Sequence, residues 1–337
     1  MNSLKYKKLM WTIFLIVIAL VVVVGYQFRF GQPSVCLNSD DVEISLEKVN
    51  NYEQQAHINV QMHDGSRSFS ISEIATMYNP IELRNCGIYV LRGFNFDYSK
   101  FSPLPGFNRS LWRYDYLGKG KKILDLAWLN DVGATMYAYD YIFRVSPNED
   151  YLALIAGGVG AEDYGIIFQL LSSLEGEDSF RVLYKNIVGS NPNIYGSIGF
   201  NEWSSDSRYF WGNIFDGADV KAYYRIDIEN KTFDVYEAPY GSLGGDALVL
   251  NPNNGYVPYD PNAYWSPDAD DMAIRTAMNQ EDGLKSELHL RHLPTGKDIL
   301  VASVDEPLWR FSPKWISDTE LEYTLPSGAK KTFVIPL

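Results

Sequence analysis

Apolar and polar positions along this chain follow two regimes. Residues Met10 to Val24 are almost all apolar, with no charge from Leu9 to Phe28, a length that predicts a helix crossing a bilayer core. Beyond it helical periodicity is scarce, and short runs rich in β-branched and aromatic residues, bounded by Gly, Pro, Asn and Asp, take over. Tyr224, Ile226 and Ile228 alternate with Arg225, Asp227 and Glu229, as in a strand with one buried face. Asn230-Lys231 supplies a tight turn, and Phe233 and Val235 open the returning strand.

The same order recurs. Val145-Ser146-Pro147-Asn148, Trp203-Ser204-Ser205-Asp206 and Trp265-Ser266-Pro267-Asp268 each precede an apolar run, at a separation of roughly 60 residues that marks one supersecondary unit copied several times. From Val145 come Tyr151 to Leu154, Ile166 to Phe168 and Phe180 to Leu183. From Trp265 come Met272 to Ile274, Leu288 to Leu290 and Ile299 to Val301. An earlier copy takes Ile88 to Val90, Leu111 to Tyr114 and Lys122 to Leu124. A shorter final copy starts near Trp315-Ile316-Ser317-Asp318 and supplies Leu321 to Tyr323 and Thr332 to Val334. Its missing strands are expected from the N-terminal side, where Val42 to Ile44, His57 to Val60 and Phe69 to Ile71 alternate suitably.

These turns resemble the TolB-type β-propeller repeat, whose signature is a Trp-Ser-Pro-Asp-Gly turn followed by an apolar strand, with related blades in propeller domains of the prolyl oligopeptidase family. The resemblance covers Ile81 to Leu337 and is strongest at Trp265 to Asp268; Ser205 replaces Pro, Asn148 replaces Asp, and no Gly follows any Asp. It implies an all-β fold of four-stranded blades around an axis, closed by joining the two ends of the chain. The expected count is five blades, or six if residues 38 to 78 form a blade alone.

Charge fixes the expected arrangement about the membrane. Lys5, Lys7 and Lys8 precede the apolar run while only Arg29 follows closely, so the N-terminus is expected in the cytoplasm and the rest outside it, periplasmic or at the cell surface. A cleaved signal peptide ending near Val23-Val24-Gly25 is the alternative. The expected organisation is a cytoplasmic tail (1–8), a transmembrane anchor (9–28), a linker (29–40) and a propeller ectodomain (41–337). The first 35 residues carry four basic and no acidic side chains, so removing them takes the net charge from −13 to −17, which disfavours nucleic acid as a partner. The two cysteines, Cys36 and Cys86, both fall in the exported part, where an even count suggests a disulfide.

In a four-stranded blade the first and third connections after each repeated turn leave by one face, and the second connections and linking turns by the other. The latter are short: Gly118-Lys119-Gly120, Asn230-Lys231, Pro294-Thr295-Gly296 and the Ser-Pro-Asp elements. The opposite face is expected to collect long loops, including Pro239 to Ala263, and therefore recognition. Its candidate residues are Asp97, Glu162, Asp163, Tyr164, Asp216, Asp219, Tyr240, Asn254, Tyr256, Tyr259, Glu281 and Asp282. The membrane through the N-terminal helix and a protein or polysaccharide of the cell envelope are the expected partners, with no cofactor.

Catalytic and metal chemistry finds little material. No G-x-S-x-G elbow occurs, and His289 and His292, three apart in an expected strand, point to opposite faces. Ser327-Gly328-Ala329-Lys330 fits S-x-x-K but sits in a terminal hairpin. The acidic loops could hold calcium, although solvated charge is the default. The expectation is a binding or assembly module without catalytic, metal or cofactor residues. The alternative is a carbohydrate-active enzyme in which two carboxylates flank the scissile bond in a central pocket.

Overall fold

The computed structural model describes residues 42–48, 55–75, 81–84, 86–92, 96–97, 102–103, 110–125, 143–156, 165–172, 178–189, 197–216, 219–239, 250–261, 263–265, 274–276, 285–306 and 309–336. The anchor at 9–28 and Cys36 lie outside them, and no helix among the described residues is long and apolar enough to cross a membrane.

Antiparallel sheets succeed one another along the chain. The first joins β1 (Val42–Lys48), β2 (Gln55–Met62) and β3 (Ser68–Ala75). The second orders β4 (Ile81–Arg84), β5 (Gly87–Arg92), β8 (Ser110–Tyr114) and β9 (Gly120–Asp125), with the small hairpin β6 (Phe96–Asp97) and β7 (Ser102–Pro103) between β5 and β8. The third is β10 (Phe143–Val145), β11 (Tyr151–Ala156), β12 (Gly165–Leu170) and β13 (Ser179–Leu183), followed by the short helix α1 (Tyr184–Gly189). The fourth is β14 (Ser197–Trp203), β15 (Tyr209–Asp216), β16 (Asp219–Asp227) and β17 (Thr232–Glu237).

The fifth sheet departs from the expected copy. It pairs β18 (Tyr256–Tyr259) with β21 (Ser286–His292) and β22 (Lys297–Val304), while β19 (Ala263–Trp265) and β20 (Ile274–Thr276) pair only with each other. Trp265 ends β19, while Ser266-Pro267-Asp268 lie outside the described residues. The residues in the structural place of the repeated turn are Asn251 to Gly255. Pro239 to Ala263 is accordingly not one loop, because β18 lies inside it. The sixth sheet is β23 (Lys314–Trp315), β24 (Glu320–Thr324) and β25 (Lys330–Val334). β1, β2 and β3 form a sheet of their own, and among the described residues none of them pairs with the sixth sheet to complete it.

Packing follows chain order, each sheet burying apolar side chains against the next. Ile58, Val60 and Ile71 of the first sheet meet Ile88, Val90 and Tyr114 of the second. Leu111 and Leu124 of the second meet Val145, Leu152 and Ile167 of the third. Ile166 and Phe168 of the third meet Trp203, Phe210 and Ile214 of the fourth. Trp211 and Tyr223 of the fourth meet Val257 and Leu293 of the fifth, and Leu288 and Leu290 of the fifth meet Phe311 and Leu321 of the sixth. The aromatic centre is Phe168, lying edge-on to Trp203 and Phe210 at ring separations of 5.9 and 5.3 Å, a geometry that adds about 1 kcal/mol per pair to the burial itself.

Candidate functional site

The two ends of these sheets are built differently. Sequential antiparallel order places the first and third hairpins of each sheet at one end and the middle connection, with the link to the next sheet, at the other. At the first end the repeated turns share one local chemistry. The N–H of Ser146 donates to the carbonyl of Tyr151 at 2.8 Å, that of Ser204 to Tyr209 at 2.9 Å and that of Asn251 to Tyr256 at 2.8 Å. Ser146 Oγ accepts the Tyr151 N–H at 2.9 Å and donates to Asn148 Oδ1 at 2.6 Å. Ser204 Oγ accepts the Tyr209 N–H at 2.8 Å and donates to Asp206 Oδ1 at 2.5 Å. Glu149 (φ 60°), Ser207 (φ 62°) and Gly255 (φ 72°) take the left-handed conformation that reverses the chain.

The turns are also bonded to one another. The Cys86 N–H of the second sheet donates to Glu149 Oε1 at 2.9 Å, and the Tyr89 hydroxyl donates to Glu149 Oε2 at 2.6 Å. The Asn148 N–H donates to Ser207 Oγ at 2.9 Å, and the Ser205 N–H to Asn253 Oδ1 at 2.5 Å. Asn251 Nδ2 then donates to the Asp318 carbonyl at 3.0 Å. One chain of contacts thus runs from the second sheet to the sixth. Burial, and the Glu149 carboxylate that Tyr89 donates to, hold the Tyr89 phenol above its ordinary pKa.

A second cluster lies where the first strands converge, since β10 touches both β4 and β14. Glu82, 8% exposed, accepts from the Arg84 guanidinium and from the Val145 N–H at 3.1 Å. Arg84 Nε donates to the Val145 carbonyl at 2.7 Å, and Trp203 Nε1 to the Arg144 carbonyl at 3.3 Å. Burial pushes the Glu82 carboxyl up to about 7, opposed by the charges of Arg84 and Arg144 and aided by the Glu202 carboxylate. A carboxyl in that range can hold or release a proton near neutrality. Sequence reading passed over Glu82. The available signal was positional: Glu82, Arg144 and Glu202 each sit two residues before the end of a first strand or its turn, and only superposing the turns reveals it.

The candidate recognition residues divide between the ends. Asp97 lies in the β6–β7 hairpin, within the middle connection of its sheet. Asp216 and Asp219 pair across the tight β15–β16 hairpin, which is not a long loop. Tyr259 closes β18 on the same side but is 6% exposed, with the Arg291 guanidinium 5.3 Å from its ring centre and the His289 ring at 5.4 Å; burial and the Asp298 hydrogen bond raise its pKa. Asn254 and Tyr256 sit at the opposite end. Asn254 lies in the repeated turn, accepting the Tyr256 N–H at 3.0 Å and donating to the Asp318 carbonyl, and the Tyr256 ring lies tilted against His292 with centroids 4.8 Å apart. Their assignment to a long loop fails because the Asn251 turn reverses the chain ahead of them. Glu162, Asp163, Tyr164, Tyr240, Glu281 and Asp282 lie outside the described residues. Among the described residues no group of three His, Cys, Asp or Glu side chains is placed to hold a metal ion.

No family model matches the chain, and no curated protein matches it. Solved structures do. A prolyl endopeptidase matches over 87% of this chain and 44% of its own length, at 12% identity and a TM-score of 0.41. A structure described as a putative TolB from Agrobacterium tumefaciens matches over 90% of this chain and 89% of its own, at 10% identity and 0.40. The β-propeller domain of the trilobed protease from Pyrococcus furiosus, described as having an open velcro topology, matches over 88% and 77%, at 10% identity and 0.44. Neighbours of this chain thus include TolB-like and β-propeller domains, and at these identities the likeness concerns the fold alone. The chain spans less than half of the endopeptidase. The expectation that the protein is no enzyme is overturned by the same neighbours, since a fold carried by an endopeptidase gives no ground for excluding catalysis.

Proposed function

We propose that this is a membrane-anchored, extracytoplasmic β-propeller of six blades that binds a protein or polysaccharide partner of the cell envelope with its long-connection end. The observation that carries the reading is the difference between the ends. The short turns are bonded to one another from Cys86 to Asp318, which commits that end to holding the sheets together. The longest middle connections, 93–109 and 260–285, leave from the other end. Long connections on a rigid scaffold are where recognition usually resides. Pairing of Cys36 with Cys86 belongs to the same reading.

The test replaces residues 261–284 with a two-residue link like Gly217-Ala218 and crosslinks the full chain in its native membrane. Loss of the captured partner is expected. Undiminished capture by this variant, and by one with residues 94–108 shortened, would sink the proposal.

A second reading is favoured by one observation, the Glu82 carboxyl raised to about 7 by burial and in part by the Glu202 charge, on converging first strands. In it Glu82 donates a proton to a glycosidic oxygen and Glu202 acts as its partner carboxylate. Release of sugar from mixed glycans by the wild-type chain, abolished in Glu82→Gln, is the expected result; no release from any glycan refutes it.

A further inference from the structure

We propose that the short-turn end of the molecule faces the membrane, and that the tip of the β8–β9 hairpin, around Leu117, Lys119 and Lys121, docks on anionic lipid headgroups beside the anchor. The inference rests on the anchor reading above and adds an orientation and a surface to it.

The chain enters the fold at this end. Val42, the first residue of β1, pairs with Met62, which opens the turn between β2 and β3. That turn abuts the hairpin tip: a Cβ on Gly118 would lie 3.0 Å from the Phe69 ring, and Tyr114, Tyr116, Val42 and Met62 share one core cluster. Residues 29–41 are all that separate the expected span from Val42, a reach of about 45 Å at full extension. Cys86 belongs to the same end, where its carbonyl accepts from Arg113 at 2.7 Å, and the Tyr116 hydroxyl donates to the neighbouring Arg84 carbonyl at 2.6 Å. A bond from Cys86 to Cys36 would leave residues 29–35 as the tether, about 25 Å long. The short-turn end then stays close to the bilayer, and the long-connection end points away from it.

The tip has the chemistry for that position. Leu117 is 44% exposed. Asp115 Oδ1 accepts the N–H groups of Leu117 and Lys119 at 2.9 and 2.8 Å, so the nearest carboxylate is turned into the hairpin. Lys119 and Lys121 are exposed, and among the described residues neither forms an ion pair, whereas Lys122 pairs with Asp125 at 3.1 Å. The adjoining turn adds Asp64 and Arg67, which offset each other in charge. In a chain of net charge −13 an anionic surface repels most of the body and attracts this corner. Each lysine near such a surface contributes about 1 kcal/mol, too little to recruit a free protein. Tethering raises the effective concentration to the millimolar range, where that energy is enough to orient the domain.

The test reconstitutes the full chain in phosphatidylcholine vesicles with or without phosphatidylglycerol, with an acceptor dye on the outer headgroups. A donor is placed at Ser66 in the β2–β3 turn or at Asn186 in α1, at the opposite end, through an azide-bearing residue that spares the cysteines. Greater transfer from Ser66 than from Asn186 is expected, and Lys119→Glu with Lys121→Glu should lower the Ser66 signal about twofold in anionic vesicles alone. Both lysines are exposed, so unchanged thermal unfolding of the variant serves as the folding control. Carbonate extraction separates the failures. Release of the chain from the vesicles overturns the anchor reading and this inference together. Retention with equal transfer from the two positions, or with a Ser66 signal indifferent to the charge reversal, overturns the docking alone.

Discussion

Ser204 shows what one residue does in this fold. Its hydroxyl accepts the Tyr209 N–H and donates to Asp206, so the turn closes without leaving a buried strand-end group unpaired. Ser204→Ala should lower unfolding free energy by about 1 kcal/mol, measured by denaturant titration; a change within error would mean that water replaces the hydroxyl. Glu82 makes stability depend on pH. Its folded-state pKa, raised from 4.5 to about 7, stabilises the fold fully below 4.5, and that contribution is lost as pH rises through 7. Relative to Glu82→Gln, wild type should therefore lose stability between pH 4.5 and 7. Parallel stability curves for the two proteins would refute the assignment. Ser204 was legible in the sequence as part of a repeated phrase. Glu82 was not, because its environment comes from β10 and β14, strands far away along the chain.

Among the elements, the strands themselves were readable: Tyr151 to Leu154, Ile166 to Phe168 and Leu288 to Leu290 all lie in strands. Likeness to a consensus does not by itself find every turn of the repeat. Trp265 to Asp268 spells the repeat most fully; Trp265 ends β19, which pairs only with β20, and residues 266–268 lie outside the described residues. Asn251-Pro252-Asn253-Asn254-Gly255 lacks the Trp and Ser but keeps the backbone bond from the Asn251 N–H to the Tyr256 carbonyl, while the Tyr256 N–H, which a serine hydroxyl accepts in the other turns, goes to Asn254 Oδ1. Asn can take it because its side-chain carbonyl accepts as the serine hydroxyl does. Because β18 pairs directly with β21, replacing residues 261–284 by two residues should leave the far-ultraviolet circular dichroism unchanged and shift Tm by only a few degrees, roughly what a surface-loop change costs. Cooperative unfolding lost in that variant would show that the hairpin supports the sheet.

At the scale of the molecule, stacking of sheets in chain order makes the two ends chemically unequal, and the orientation and binding proposals rest on that inequality. The tether adds a simple check. If Cys36 and Cys86 are joined, the purified full chain unfolded without reductant should show no reactive thiol, and two after reduction, the full cysteine content of the sequence. One or two thiols before reduction would remove the shortened tether.

The sequence by itself determined the strands, the existence of a repeated turn and the apolar N-terminal run, because period-2 alternation, turn residues and uninterrupted hydrophobicity are local properties. Only the tertiary structure decided that Asn251 to Gly255 forms a turn of the repeat, that Asn254 and Tyr256 stand at the short-turn end, and that Glu82 is buried beside Arg84 and Arg144. Those outcomes depend on which strands pair across long separations, and pairing is settled by packing between whole sheets, which no local window of residues encodes.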